Sequence, residues 1–181
     1  MDKTDDFGLS CSGGCSLKTG VAENIKNLKL SVQNTLIGRV GIAEHDGSIT
    51  NLFFAEEKLP AGIERLETEG LHEAFRQLER YLAGSLKAFS LPLAPAGTPF
   101  MLAVWRMLSK IPYGTTVSYR DVAAALGNPF AARAVGMANH RNPLPLFLPC
   151  HRVIGSDGTP GGYRGGLALK KWLLELERGA G

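Results

Sequence analysis

The most constraining stretch of this chain is the proline-rich segment that leads into Cys150. It begins at Asn142, and its apolar run carries Pro145 and Pro149 immediately before the cysteine. Proline fixes φ and removes a backbone donor, and the residue before a proline is pushed toward extended geometry. The sequence therefore predicts an extended segment that ends just before Cys150 and holds its thiol in one orientation.

His151 and Arg152 follow the cysteine directly, which indicates reactive-thiol chemistry. The thiolate is the reactive form of cysteine, and a neighbouring base or positive charge raises its fraction. Adjacent residues on an extended chain point to opposite faces, so contact between Cys150 and His151 requires a tight turn or a bridging water. A buried structural cysteine is the alternative interpretation of Cys150.

Composition indicates a globular protein of one domain or two small ones, because the chain has 181 residues and 44% hydrophobic content. No apolar run is long enough to span a bilayer, and the acidic N-terminus lacks a signal-peptide hydrophobic region. We therefore expect a cytoplasmic protein without a membrane partner. Its three cysteines are an odd count and do not suggest a disulfide framework.

Charge is distributed unevenly along the chain. Residues 1–96 carry ten Lys and Arg against thirteen Asp and Glu, whereas residues 97–181 carry ten against four. A basic half suits a polyanion partner such as nucleic acid. A solvated basic surface explains the same charge equally well.

Residues 1–24 are rich in Gly, Ser, Asp and Lys, lack periodicity and are expected to form a mobile tail. Cys11 and Cys15 have the spacing of half a zinc site, but no second pair with metal-ligand spacing follows. Unpaired surface cysteines are the favoured interpretation, and no metal site is predicted.

The first half of the chain is expected to form a small sheet with one packed helix over residues 25–96. An Asp46-Gly47 pair predicts a turn between the second and third strands. A Pro- and Ala-rich stretch then predicts a domain boundary near residue 97. The predicted elements are strands over 28–32, 38–43 and 49–54, a helix over 66–82 and an edge strand over 89–93.

The second half is mainly helical. Thr98 before Pro99 predicts a capped helix start, and Ser118 predicts a second cap. A short helix over 119–126, a turn over 127–129 and a helix from 130 or 131 to about 139 form a helix-turn-helix pattern, which any helical hairpin also gives. A last helix is predicted over 167–177.

The helix that starts near Ala131 has a thin profile, because Ala and Gly occupy most of its positions and Arg133 is its only charge before His140. A slender element can enter a narrow groove of DNA. Small residues that permit tight helix packing are the alternative.

These motifs together resemble the O6-alkylguanine-DNA alkyltransferases, the methylated-DNA–protein-cysteine methyltransferases. The sequence Pro-Cys-His-Arg-Val, preceded by Asn-Pro-x-Pro-Leu, matches the family's active-site signature. The match runs in order over roughly residues 97–177 and includes segments 105–108, 112–114, 117–119, 131–136, 162–167 and 172–174.

The resemblance implies a fold and a reaction. The fold is α+β, with an N-terminal scaffold domain over 25–96 and a winged-helix-like DNA-binding and catalytic domain with a helix-turn-helix over 97–181. The reaction moves an alkyl group from O6-alkylguanine, and from O4-alkylthymine, in double-stranded DNA to Cys150. The resemblance further implies one turnover per molecule, no cofactor and a monomer.

The resemblance also assigns roles to residues. Cys150 is the nucleophile and His151 is the general base. Glu177 is the carboxylate that orients His151, which gives a Cys–water–His–Glu relay. Asn142 holds the active-site turn. On the sequence alone, a carboxylate at a helix C-terminus is disfavoured by the dipole, which fits a tertiary role, although a surface carboxylate is the alternative.

An alkylated base inside a duplex must be extruded from the stack before its O6 can be reached. By resemblance, the helix enters the minor groove, Arg133 fills the vacated place and Tyr119 contacts the rotated nucleotide. Other expected DNA contacts are Ala131, Ala132 and Arg141. The base pocket is expected to comprise Tyr163, the carbonyls of Cys150 and Val153, and the backbone N–H of Arg164.

Two other functions compete with this one. A DNA-lesion sensor of the alkyltransferase-like kind lacks the reactive cysteine, so Cys150 counts against it. A cysteine hydrolase or acyltransferase would not explain the two short helices with Arg133 or the basic second half. The sequence departs from the family pattern at His140, where a glycine is common.

Overall fold

The computed structural model describes residues 28–59 and 62–179. The predicted tail over residues 1–24, with Cys11 and Cys15, lies outside the described residues. The chain forms two compact units. The first comprises the chain up to Glu79 together with Ser90–Ala94, and the second comprises Arg80–Phe89 together with the chain from Pro95 onward. The predicted domain bounds of 25–96 and 97–181 stay a prediction.

The first unit contains a four-stranded sheet of order β3-β2-β1-β4. The antiparallel β1, β2 and β3 confirm the three predicted strands, and Asp46 and Gly47 both have positive φ in the turn between β2 and β3. The sequence missed β4, which pairs in parallel with β1 but is too short to carry a pattern. The strands are β1 Lys29–Thr35, β2 Gly38–His45, β3 Ser48–Phe54 and β4 Glu64–Arg65.

Helix α1 spans Glu69–Leu82, three residues later than the predicted start at 66. The Leu71 N–H donates to the Thr68 hydroxyl, which fixes the beginning of the helix. The helix buries Leu71, Phe75 and Leu78, which recur at the spacing of one helical face.

The predicted edge strand over 89–93 is wrong. That segment makes only an isolated bridge, in which the Ile49 N–H donates to the Pro92 carbonyl and the Ala94 N–H donates to the Ile49 carbonyl. Pro92 has no N–H to offer, so a regular ladder cannot continue through it.

The second unit is mainly helical, as the sequence predicts. Thr98 and Ser118 both cap helices through their side chains, and Ser118 forms a reciprocal capping box with Asp121. The elements are α2 Pro99–Leu108, β5 Val117–Ser118, α3 Tyr119–Ala125, α4 Ala132–His140, β6 Val153–Ile154 and α5 Leu167–Gly179, with β5 and β6 paired in parallel.

Helices α3 and α4 form the predicted helix-turn-helix. The indole Nε1–H of Trp105 in α2 donates to the Ala138 carbonyl of α4 at 2.9 Å, and both residues are buried. Val135 is also fully buried on the inner side of α4. The inner face of α4 is therefore packed, and its other face is left toward solvent.

Candidate active site

Asn142 organises the segment that leads to the cysteine. Its Oδ1 accepts from the Leu144 N–H at 3.0 Å, and its Nδ2 donates to the Leu148 carbonyl at 2.8 Å. These two bonds clamp both ends of a loop in which Leu146 has a φ of 77°, a left-handed conformation that branched side chains rarely adopt. Asn142 is itself buried, so it contributes to the turn and not to the surface.

The chain turns sharply at the cysteine. Pro149 has φ −76° and ψ 65°, and the Cys150 N–H donates to the Leu148 carbonyl at 2.7 Å, which together define an inverse γ-turn. Residues Cys150–Arg152 then form one turn of 3-10 helix. The prediction of extended geometry up to Cys150 is therefore corrected: the chain takes the tight turn that the sequence analysis gave as one route to proximity between Cys150 and His151.

Cys150 is buried, with only 4% of its surface exposed, and is not disulfide-bonded in the described part of the chain. Burial raises the pKa of its thiol, while hydrogen bonding from Asn142 and the charges of Lys170 and Arg164 act in the opposite direction. The group is therefore a thiol at rest, with polar and positive groups placed to favour the thiolate.

His151 is completely buried and has two unequal ring nitrogens. Its Nε2 lies 2.9 Å from Glu177 Oε1 and 3.1 Å from the Tyr81 hydroxyl, whereas its Nδ1 is buried and has no hydrogen-bond partner among the described residues. Burial lowers the pKa of the imidazole, although Glu177 opposes that shift. A neutral ring that donates from Nε2 to Glu177 leaves the Nδ1 lone pair available as a base.

Glu177 is a buried acceptor for several donors. Arg152 donates to it from Nε and Nη2, the Gly114 N–H donates at 2.9 Å, and Tyr81 donates from its hydroxyl. Burial alone would raise the pKa of this carboxyl, but the hydrogen bonds from His151, Arg152 and Tyr81 outweigh it and lower the pKa to about 2. Glu177 is therefore ionised and fixed, and the surface-carboxylate alternative does not hold.

Tyr81 carries no recognisable signal in the sequence, and Arg152 is indicated there only as a neighbour of the cysteine. Tyr81 lies on α1 and is fully buried, so its position looks like one more apolar site of the helix. Its contact with Glu177 spans 96 residues of sequence, and a single sequence carries no signal for such a pair.

A cavity of about 190 Å³ adjoins the cysteine and is called here the Cys150 cavity. It is smaller than the 300–1,000 Å³ of sites for drug-sized molecules. Its lining residues are Tyr119, Gly136, Asn139, His140, Cys150, Gly162 and Tyr163.

The two tyrosines of the Cys150 cavity are held by close contacts. Tyr163 packs edge-on to His151, with ring centroids 6.3 Å apart. Gly161 has a φ of 64°, and a Cβ built on it would lie 2.9 Å from the Tyr119 hydroxyl. Glycine is thus required at this point of the loop both by conformation and by the approach of Tyr119.

Val153 and Arg164 are the other two residues expected in the base pocket. The Val153 carbonyl accepts from the buried Lys170 Nζ at 2.7 Å, and a carbonyl has a second lone pair for a ligand. Burial lowers the pKa of Lys170 to about 8. Arg164 donates from Nη1 to the Asn142 carbonyl at 2.6 Å, so its side chain ties the glycine-rich loop to the active-site turn.

The expected DNA-contacting residues lie on or beside α4. Arg133 and Arg141 are exposed, and Ala131 and Ala132 are half-buried at the start of the helix. The preceding residue, Phe130, is 95% exposed. No side chain of the described residues caps the N-terminus of α4, so its first N–H groups remain available to an outside acceptor.

A larger, open groove of about 930 Å³ lies in the first unit. Its lining includes Glu44, Glu69, Glu73 and Glu79. A carboxylate-rich groove repels a polyanion, so it is not the surface that a nucleic acid would take.

Within residues 28–59 and 62–179, no cluster of three or more His, Cys, Asp or Glu side chains is arranged to hold a metal ion. The helices described there include none with the length and apolar content needed to cross a membrane.

Two family models match this chain. The model described as "6-O-methylguanine DNA methyltransferase, ribonuclease-like domain" matches residues 28–95, and "6-O-methylguanine DNA methyltransferase, DNA binding domain" matches residues 99–179. Together they take in nearly all of the described chain.

Individual proteins agree with these models. The constitutive methylated-DNA–protein-cysteine methyltransferase of Bacillus subtilis is 48% identical over 151 residues, which cover 80% of this chain and 92% of that protein. Its counterpart in Methanosarcina barkeri is 46% identical over 146 residues, 78% of this chain and 91% of that protein. The crystal structure of Mycobacterium tuberculosis OGT in complex with DNA superposes with a TM-score of 0.77 at 40% identity, covering 84% of this chain and 93% of that one.

Proposed function

The chain belongs to the 6-O-methylguanine DNA methyltransferase family, and we propose that Cys150 is the residue that receives the alkyl group. Members of this family repair DNA by transferring an alkyl group from O6-alkylguanine to a cysteine of their own, and this chain has that activity. The observation that carries the assignment is the buried Cys150 in a base-sized cavity, followed in sequence by a histidine whose Nδ1 has no partner in the part of the chain that the structure describes.

The proposed reaction uses these two side chains and Glu177. The Cys150 proton passes to His151 Nδ1 through a water molecule, and the thiolate attacks the alkyl carbon. A new S–C bond forms as the C–O6 bond breaks, its electron pair stays on the guanine, and the base takes up a proton as it leaves. Glu177 holds the ring through Nε2 and stabilises the imidazolium. A thioether does not leave readily, so each molecule reacts once.

The remaining site residues are proposed to handle the nucleotide. In this scheme Tyr119 contacts the rotated nucleotide, Tyr163 lines the base pocket, and the Val153 carbonyl and Arg164 N–H bind the edge of the base. Arg133 takes the vacated place in the stack. The size of the Cys150 cavity supports one base with a small substituent.

The DNA-binding surface is proposed to be the outer side of α4, in the minor groove. Exposed Arg133 and Arg141, the small residues Ala131 and Ala132, and the basic second half support it. We also propose that residues 97–181 carry the chemistry on a scaffold of residues 25–96, and that the protein acts as a monomer in the cytoplasm.

The test is an intact-mass measurement after incubation with duplex DNA that contains O6-methylguanine. Wild-type protein should gain the mass of one methyl group, and Cys150→Ala should gain none while it binds the duplex about as tightly. A lesion sensor would show no mass change in either protein. A cysteine hydrolase would show no adduct that depends on DNA.

A further inference from the structure

Asn139 is a buried amide for which the described part of the chain supplies no partner. It lies on the inner side of α4 with 7% of its surface exposed, and neither Nδ2 nor Oδ1 has a hydrogen-bond partner within residues 28–59 and 62–179. Two other buried amides behave differently. Asn142 uses both of its side-chain atoms, and Gln77 bonds to Ser90 through both of its own.

An unpartnered amide in this position is unfavourable for the free protein. Burying an amide without a hydrogen bond lowers the free energy of unfolding. An apolar side chain of the same size at that position would raise it. Buried polar groups without partners are rare in native proteins, so each one calls for a reason. A ligand that brings the missing partner is such a reason.

The position of Asn139 points to the ligand. It lines the Cys150 cavity together with Tyr119 and Tyr163. A guanine whose O6 substituent faces Cys150 presents N7 beside O6, because both acceptors lie on the same edge of the base. Asparagine amides match such edges well, since Nδ2 can donate to a ring nitrogen.

We propose that Asn139 is a specificity-determining residue of the Cys150 cavity, which donates from Nδ2 to N7 of the purine whose O6 substituent faces Cys150. This inference rests on the proposed function of that cavity. The amide is unfavourable when the cavity is empty and becomes favourable when the purine occupies it.

The first arm of the test measures thermal unfolding without DNA. Asn139→Leu removes an unpartnered amide and should melt no lower than wild type. Gln77→Leu is the matched control, because it removes a buried amide that is fully hydrogen-bonded, and it should melt clearly lower. Asn139→Ala serves as a second variant if leucine does not fit the space.

The second arm compares single-turnover methyl transfer at saturating protein from two duplexes, one with O6-methylguanine and one with O6-methyl-7-deazaguanine. The preference for N7 is the rate with O6-methylguanine divided by the rate with the 7-deaza analogue. This ratio should be about 2- to 10-fold larger for wild type than for Asn139→Leu, the range that one neutral hydrogen bond provides. Any intrinsic effect of the missing nitrogen on the leaving group is equal in both proteins and cancels when the two ratios are compared.

An unchanged preference for N7 in both Asn139 variants would overturn the proposal. A fall in melting temperature like that of Gln77→Leu, together with unchanged preference, would assign Asn139 a structural role only. Failure of the proposed function is distinguishable, because wild type would then transfer no methyl group from either duplex.

Discussion

At the scale of single residues, the proposed chemistry depends on His151, whose two ring nitrogens have different surroundings. Nε2 faces Glu177, and Nδ1 has no partner in the described ranges 28–59 and 62–179. His151→Ala and Glu177→Gln should each slow the single-turnover rate, with general-base loss typically worth ~10²- to 10⁴-fold. Because the two residues act as one unit, the double variant should lose little more than the worse single variant. Multiplicative losses in rapid-quench measurements would place Glu177 outside the relay.

Tyr81 is a positioning residue for the same pair. Tyr81→Phe keeps the ring packing against Phe89 but removes a hydrogen bond to the Glu177 carboxylate, a class of bond worth ~1.5–3 kcal/mol. We expect a corresponding loss in the free energy of unfolding in urea, and a smaller loss of rate than for His151→Ala.

Tyr113→Phe is the matched control for that loss, because the Tyr113 hydroxyl is buried and has no hydrogen-bond partner among the residues that the structure describes. Its removal should leave the free energy of unfolding nearly unchanged. Equal losses from the two tyrosine variants would mean that the Tyr81 hydroxyl contributes nothing to Glu177.

Sequence alone located the residues whose geometry is local. Cys150, His151 and Asn142 lie within ten positions, and proline restricts the chain between them. Tyr81 and Asn139 were missed for a different reason. Whether a buried tyrosine or asparagine has a hydrogen-bond partner depends on residues that the fold brings together. Such long-range contacts leave no recognisable pattern in a single sequence.

At the scale of elements, α4 has one face packed against the protein and one face exposed to solvent. Trp105 anchors the inner face through the Ala138 carbonyl, and Arg133 stands exposed on the outer side. Arg133→Ala should slow repair of duplex DNA at saturating protein, yet barely slow reaction with the free base O6-benzylguanine, which needs no extrusion.

Arg106→Ala is the control for charge, since it removes an exposed arginine from α2. It should weaken binding at most and leave the saturated rate unchanged. If Arg133→Ala repairs duplex at the wild-type rate once binding is saturated, its role is limited to phosphate contact.

Elements with clear end signals were predictable, and irregular ones were not. Thr98 and Ser118 cap their helices as the sequence indicates, because capping depends on neighbours a few residues away. The segment 89–93 has strand-like composition but forms one bridge, since pairing is decided by a distant strand and by Pro92. The two-residue β4 is likewise set by its partner β1.

At the scale of the whole molecule, the buried Glu177 links stability to pH. Its folded-state pKa of about 2 lies below the ordinary value of 4.5, so its contribution is complete above 4.5 and is lost as the pH falls toward 2. Urea unfolding between pH 6 and pH 3 should show wild type losing more free energy of unfolding than Glu177→Gln. Glu175→Gln, which removes an exposed carboxylate of α5, should behave like wild type.

Matching pH slopes in wild type and Glu177→Gln would contradict the ionised, hydrogen-bonded state of this carboxylate.

The net charge of the whole chain says less about function than this one carboxylate does. The basic second half of the chain agrees with a DNA partner, but net charge is the same for a DNA-binding surface and an ordinary solvated one.

The central claim is that the alkyl group ends on the sulfur of Cys150. Tandem mass spectrometry of wild-type protein, digested after reaction with a limiting amount of O6-methylguanine duplex, tests it directly. The account predicts one methyl group per duplex consumed, all of it on the peptide that contains Cys150. Methylation found on Cys11 or Cys15, or repaired DNA without any methylated cysteine, would contradict it.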